Sequence, residues 1–314
     1  MKHLFIINPK ARRIQGRVDE LEGEIQNHFS GRSHVEFAIH KTQWKRDASG
    51  YVLSQVSGAR EITRVYVLGG DGLLFEVING VVGLPNAQIA WYPLGGDNSL
   101  ISAFGGKNSL RFFRSIKRLS LSPVVTIDTI RAGHHYAVIH ALIGGEAEAL
   151  RQGEVLADKF RMLPRSACYM AMGLGQNLLK NSAQSFRLEG EDLEYEGELI
   201  SILITNAPAY AEGLRPAPGA SINDGYLDLF MIKPIPRIKL AAVIADYERG
   251  RYHKWPAYIS RYRRKKVRIS SRSTMTIILD GEFFYNTSIE FEVFPRSLDF
   301  VCPWGVSPGP EESR

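Results

Sequence analysis

Apolar positions near the N-terminus alternate between short continuous runs and stripes at helical spacing. "HLFII" is a run of strand length, "NPKARR" is a polar loop, and residues 16–29 place Val18, Leu21, Ile25 and Phe29 on one helical face. The unit then recurs. "RVYVL" is a strand and "GGDG" its loop; Leu74, Val77, Ile78, Val81 and Val82 follow at helical spacing until Gly83 and Pro85 stop them. "QIAWY" is a further strand, followed by the loop "PLGGDNS" and a short helix "LISAFGG". Strands alternating with helices predict a parallel sheet covered on both faces, with ligands gathering at the carboxyl ends of its strands. All three loops lie there.

Beyond about Val125 the pattern becomes strand after strand: "VVTIDTI", "HYAVIHALI", "SFRLEG", "LEYEGELISILIT", "YLDLFMI", "KVRIS", "TMTIILDG" and "SIEFEVFP", with a helical pair expected around 147–181. The fold class predicted is an α/β N-terminal domain with a parallel sheet and glycine-rich nucleotide loops, joined to a mostly antiparallel β-sandwich or barrel. The expected division is 1–127, 128–303, with the last strands free to return to the first domain, and a disordered tail over 304–314. At 314 residues two domains are expected rather than one.

Composition narrows the function. The chain carries a formal net charge of +6, which favours anionic partners. Two cysteines, Cys168 and Cys302, are too few for a disulfide framework or a cysteine metal cluster. No run approaches the roughly 18 apolar residues of a membrane span, and "MKHLFIINPK" is too short for a signal peptide. The expectation is a cytoplasmic protein, either free or peripheral to the inner face of a membrane.

"GGDG" lies between a strand and a helix. Glycine admits close approach to the backbone, and the N–H groups of the following helix face an anion, most naturally a phosphate. Asp71 among such glycines would repel phosphate unless a cation mediates, so Mg²⁺ with a nucleotide is the natural partner. A short glycine motif alone is as well explained by a tight turn. Here a second glycine loop follows one strand later and "INP" closes the first strand.

Together, "INPKAR", "GGDGLLFEVINGV" and "YPLGGDNSL" resemble the three nucleotide-binding segments of the diacylglycerol kinase catalytic domain family, which includes sphingosine and ceramide kinases and bacterial lipid kinases. "IDTI", "SINDGYLDL" and "ILDGEFF" resemble its later landmarks in the same order, so the likeness spans roughly residues 3 to 303. It implies an ATP- and Mg²⁺-dependent lipid kinase acting on a hydroxyl of a membrane lipid. By the same resemblance Asn8, Pro9, Lys10, Ala11, Arg12 and Thr42 belong to the first nucleotide loop and its surroundings. Gly69, Gly70, Asp71, Gly72, Leu73 and Glu76 belong to the phosphate loop and its helix, and Gly95, Gly96, Asp97 and Asn98 to the second glycine loop. Asp128 matches an acid of the magnesium network. Asp280 and Glu282 match the acidic pair that supplies the general base, with the choice between them open. The turn with Asp224 matches a second cation site, Ser221 and Tyr226 contributing carbonyls.

The residues themselves suit phosphoryl transfer to an alcohol, which needs positioning, a metal and a carboxylate to accept a proton. "DGE" is equally a hairpin turn, and "INDGYLD" equally a loop stabilised by its aspartate. The second glycine loop departs from the family pattern: Gly96-Asp97 stands where a small hydroxyl and a small residue are usual, and Ser99 where an acid is usual. Shifted acid, altered nucleotide preference and lost turnover are all open, as are an NAD-kinase-like activity and a non-catalytic lipid- or nucleotide-binding role. The nine cations Arg249, Arg251, Lys254, Arg261, Arg263, Arg264, Lys265, Lys266 and Arg268, with no acid among them, form either a solvated face or a dock on an anionic leaflet. Nucleic acid is not expected as a partner, because no nucleic-acid-binding fold accompanies them; a homodimer is left open.

Overall fold

The computed structural model describes residues 1–11, 14, 16–31, 35–96, 98–159, 183–209 and 214–309. The N-terminal body runs β1 (Lys2–Ile7), α1 (Val18–Phe29), β2 (Glu36–Lys41), α2 (Asp47–Val56), β3 (Thr63–Gly69), α3 (Asp71–Val81) and β4 (Ala87–Pro93). Strands order as β4-β3-β1-β2, all parallel. The unbroken apolar run of β1 is explained by burial on both faces: Leu4 to Ile7 expose nothing. The predicted helix after β4 is a short 3-10 turn, Ser99–Ala103, followed by α4 (Leu110–Phe113) and α5 (Ile116–Leu121).

The second half contains β5 (Val124–Ala132), β6 (His135–Ala137), β7 (His140–Gly144), α6 (Gly145–Lys159), β8 (Gln184–Gly190), β9 (Leu193–Leu199), β10 (Ser201–Thr205), β11 (Leu227–Ile232), α7 (Arg237–Glu248), β12 (Ile259–Arg264), β13 (Lys266–Leu279) and β14 (Glu282–Val301). Its pairs are antiparallel, as expected for a sandwich-type β domain. The helical pair expected at 147–181 is represented by α6; its second member lies outside the described residues. Two apolar runs read as single strands are each two: "HYAVIHALI" breaks at Val138–Ile139, and "LEYEGELISILIT" breaks at Ile200, where β9 stays with β8 while β10 passes between β7 and β11. Conversely "KVRIS" and "TMTIILDG" are one strand, β13, with a register shift between Ser270 and Met275.

β14 joins the halves. Its first part pairs with β13, its middle with β5, and its end lies parallel to β4 through Asp299↔Gln88 and Phe300↔Ile89. A bulge between Phe294 and Leu298 turns it from one body to the other, with Arg296 at φ 51°. The tail expected to be loose from residue 304 is held through Gly309, whose N–H donates to the Ala103 carbonyl, and Trp304 donates to Leu121; residues 310–314 lie outside the described set.

Candidate active site

The glycine loops are packed against each other first, and offered to a ligand second. A Cβ on Gly70 would lie 2.9 Å from the Gly95 Cα, and one on Gly95 would lie 2.6 Å from the Gly70 Cα. Both sites exclude any side chain because the backbones touch. Gly96 differs: a Cβ there meets nothing within 4 Å, and the residue is exposed. Open space thus begins at Gly96 and at the N-terminus of α3, where Gly70 is the cap residue.

Asn98, Asp71 and Ser99 each have partners within the loops. Asn98, at φ 50°, closes a ring with Gly95: its Oδ1 accepts from the Gly95 N–H at 2.9 Å and its Nδ2 donates to the Gly95 carbonyl at 3.0 Å. The Asp71 carboxylate accepts from the Ser99 N–H at 3.1 Å to either oxygen, and from Ser99 Oγ at 3.3 Å. Ser99, the departure from the family pattern, therefore holds Asp71 and staples one loop to the other. Asp97 and Arg12 lie outside the described residues.

The remaining first-loop residues gather beside them. Asn8 Oδ1 accepts from the Lys10 N–H, and its carbonyl accepts from the Ala11 N–H, which folds Pro9–Ala11 into a turn at the end of β1. Thr42 sits alongside, its N–H on the Ile7 carbonyl. Leu73 is buried under Gly69, whose Cβ would fall 2.7 Å from its Cδ2. Glu76 faces a different partner from the nucleotide contact that the resemblance implies: it accepts the Arg46 N–H at 2.9 Å and pins residues 42–47 over α3. Asn79 clamps the Tyr136 backbone in both directions, and a Cβ on Gly80 would strike the Ser49 carbonyl at 2.6 Å. The tail of the "GGDGLLFEVINGV" motif is thus a packing device.

Asp280 and Gly281 form the two-residue turn between β13 and β14, with φ 46° and 93°. The hairpin reading of "LDGE" is therefore correct, and the acids emerge from it in different roles. The Asp280 carboxylate is buried and accepts three backbone N–H groups, from Val138 at 2.6 Å, Ile139 at 3.0 Å and His140 at 2.8 Å. It grips the bend that splits β6 from β7. Burial pushes its pKa up to about 7, opposed by those three amides and assisted by the nearby Asp71. Glu282, its side chain 20% exposed, directs Oε1 toward Gly72, whose Cβ would lie 3.7 Å away, while Oε2 meets Lys45 Nζ at 2.6 Å. Lys45 is a site residue that the sequence reading missed; "TQWKRD" carries no motif, and only its position over α3 reveals it.

An Asp280→Asn protein should be destabilised by about 1–3 kcal/mol, because an amide NH₂ would face backbone donors and leave at least one unsatisfied. The sign of the pH effect follows from the raised pKa. The folded state keeps a proton that the unfolded chain releases, so this contribution is full below about pH 4 and is lost as pH rises through about 7. Thermal midpoints of wild type and variant, measured from pH 4 to 8, should converge as pH rises.

Among the described residues, the hydrogen bonds of the Asp128 carboxylate lead away from the glycine loops. Asp128 is buried in β5; Oδ2 accepts from Gly225 N–H and Oδ1 from Arg296 N–H, both at 2.7 Å, tying the 221–226 turn to the bulge of β14. Ser221, Asp224 and Tyr226 lie on that turn. Of the nine cations in the basic tract, six pair with carboxylates among the described residues: Arg251 and Lys254 with Asp246, Arg261 with Asp228, Arg263 with Asp224, and Lys266 and Arg268 with Glu290.

Comparison with known proteins decides the family. Residues 2–132 match the model of the diacylglycerol kinase catalytic domain, and residues 144–302 match that of the YegS C-terminal NAD kinase beta sandwich-like domain. The chain belongs to the diacylglycerol kinase catalytic domain family. Among its relatives are two proteins named probable lipid kinase YegS-like. That of Alcanivorax borkumensis is 25% identical over 274 residues, covering 86% of this chain and 88% of the relative. That of Shewanella frigidimarina is 25% identical over 250 residues, covering 78% of each. A crystal structure of a diacylglycerol kinase from Bacillus anthracis superposes with a TM-score of 0.67 at 17% identity over 98% of both chains, a likeness of fold. Membership makes the chain an ATP-using kinase of the lipid kinase group. No helix among the described residues is long and apolar enough to cross a membrane.

Proposed function

We propose that the chain transfers the γ-phosphoryl group of Mg²⁺-ATP to a hydroxyl of a diacylglycerol- or sphingosine-like lipid, in the cleft between the glycine loops and the Asp280–Glu282 turn. The observation that carries this reading is Glu282 facing the N-terminus of α3, across from an Asp71 stapled by Ser99. Helix N–H groups and the open side of Gly96 suit phosphate. The Asp71 carboxylate at the first turn of α3 suits a magnesium ion, which ordinarily takes most of its ligands from phosphate and water. Bound there, the ion would neutralise phosphate charge; Asp71 is the carboxylate placed to hold it.

Glu282 is the base in this reading. Its Oε1 accepts the hydroxyl proton as the lipid oxygen bonds to phosphorus and the bond to ADP breaks. Asp280 has both oxygens engaged by amides, and its work is to hold the turn. Lys45 fixes the other oxygen of Glu282 and leaves Oε1 toward the cleft. Transfer of radiolabelled phosphate from ATP to a total lipid extract tests this directly. Label should enter the organic phase only with Mg²⁺ present, and its chromatographic class names the lipid. Label confined to water-soluble products would refute a lipid acceptor.

A further inference from the structure

The 221–226 turn and the basic tract are the two sequence features that the kinase site leaves unused, and the structure joins them. Family resemblance implies a second cation on the turn, with Asp224 as its side-chain ligand. Its carboxylate is otherwise engaged. Asp224 Oδ1 accepts from the Tyr226 N–H at 3.0 Å, and Oδ2 accepts from Arg263 Nη2 at 2.6 Å. Ser221 Oγ donates to Asn223 Oδ1 at 2.8 Å. The guanidinium of Arg263 stands 4.7 Å from the centre of the Tyr226 ring, and Lys265 Nζ stands 5.4 Å from the same ring.

The arrangement extends to a second acid. Arg261 donates to Asp228 Oδ1 from Nε at 2.7 Å and from Nη2 at 2.5 Å. Arg261 and Arg263 are two apart on β12 and share a face, and Asp228 lies opposite Arg263 in the β11–β12 register. Each aspartate of "NDGYLD" thus has its own arginine from one edge strand. Burial raises the Asp228 pKa while Arg261 opposes the rise, as expected for an acid that needs its counter-charge.

We propose that Arg263, seconded by Arg261, is the built-in cation of this turn, and that the turn takes no divalent ion. Mg²⁺ requires nearly octahedral oxygen ligands at about 2.0–2.1 Å. The Asp224 carboxylate is spent on Arg263, Glu292 beside the turn is paired with Arg131, and a guanidinium and an ammonium close by repel a further cation. The arginine does what the ion would do: it fixes the turn, whose Gly225 N–H reaches Asp128 and through it the bulge of β14.

Thermal unfolding of the nucleotide-free full chain, in EDTA and in millimolar MgCl₂, tests this without reference to catalysis. The wild-type midpoint should differ by less than about 1 °C between the two; an ion bound at a hundredfold excess over its dissociation constant would raise it by about 5 °C. Arg263→Gln should unfold about 1–2 °C lower in EDTA, the pair being half exposed on the arginine side, and recover the loss with Mg²⁺, because Asp224 is then free to bind it. Adding Asp224→Asn should remove that recovery, and Arg263→Lys should keep the indifference to Mg²⁺. A wild-type gain of about 5 °C that Asp224→Asn abolishes overturns the proposal. So does an Arg263→Gln protein as stable as wild type and indifferent to Mg²⁺.

Discussion

Asp71→Asn is expected to abolish phosphoryl transfer, a loss of at least about 10³-fold, while the protein stays folded. An asparagine has almost the same volume, keeps one acceptor for the Ser99 N–H, and removes only charge. The carboxylate is the acid of the phosphate loop, at the first turn of α3, and its charge is the natural anchor for an ion that must shield phosphates as they approach. Electrostatic stabilisation by one such group is commonly the largest single contribution to a rate. Steady-state assays at saturating Mg²⁺, with circular dichroism to confirm folding, decide the matter. Full turnover in the variant would remove Asp71 from the chemistry and leave it as a staple between two loops.

Glu282→Gln should lower kcat by roughly 10²–10⁴, the usual range for a positioned base, with little change in the KM for ATP. The comparison that gives this experiment its force is Asp280→Asn. If Asp280 only holds the turn, its variant loses stability and keeps most of its turnover at low temperature. Glu282→Gln should do the reverse, since the ion pair that it breaks with Lys45 is largely exposed on the lysine side and contributes little to folding. Normal turnover in Glu282→Gln, with loss in Asp280→Asn, would exchange the two roles.

The fold was legible wherever one periodicity ran unopposed. β1, β3 and β4 are buried on both faces and read as plain apolar runs; α1 and α3 carry their stripes. What stayed hidden had no such signature. β2 is an edge strand without one fully buried residue, so its alternation is weak. α7 mixes exposed apolar residues, Ile238 at 93% among them, with its buried Leu240, Val243 and Tyr247, and so its stripe is blurred. The β9–β10 break was invisible because both pieces are good strands and only their partners differ. In the site, the glycine loops and the acids were legible from local motifs. The pairing of Asp71 with Ser99, of Glu282 with Lys45, and of Asp280 with three amides was not, because each joins residues far apart in the chain. Glu76 likewise has a packing partner, the Arg46 N–H, that its motif does not announce.

β14 also has a consequence for synthesis. β4 gains its outer neighbour only when Asp299 and Phe300 arrive, and β5 is completed by Leu298–Val301. On the ribosome the N-terminal body must therefore wait, with an apolar strand edge uncovered, until nearly the whole chain has emerged. A nascent chain stalled before Leu298, or the N-terminal half expressed by itself, presents that edge to its neighbours and is a candidate for aggregation rather than for independent folding.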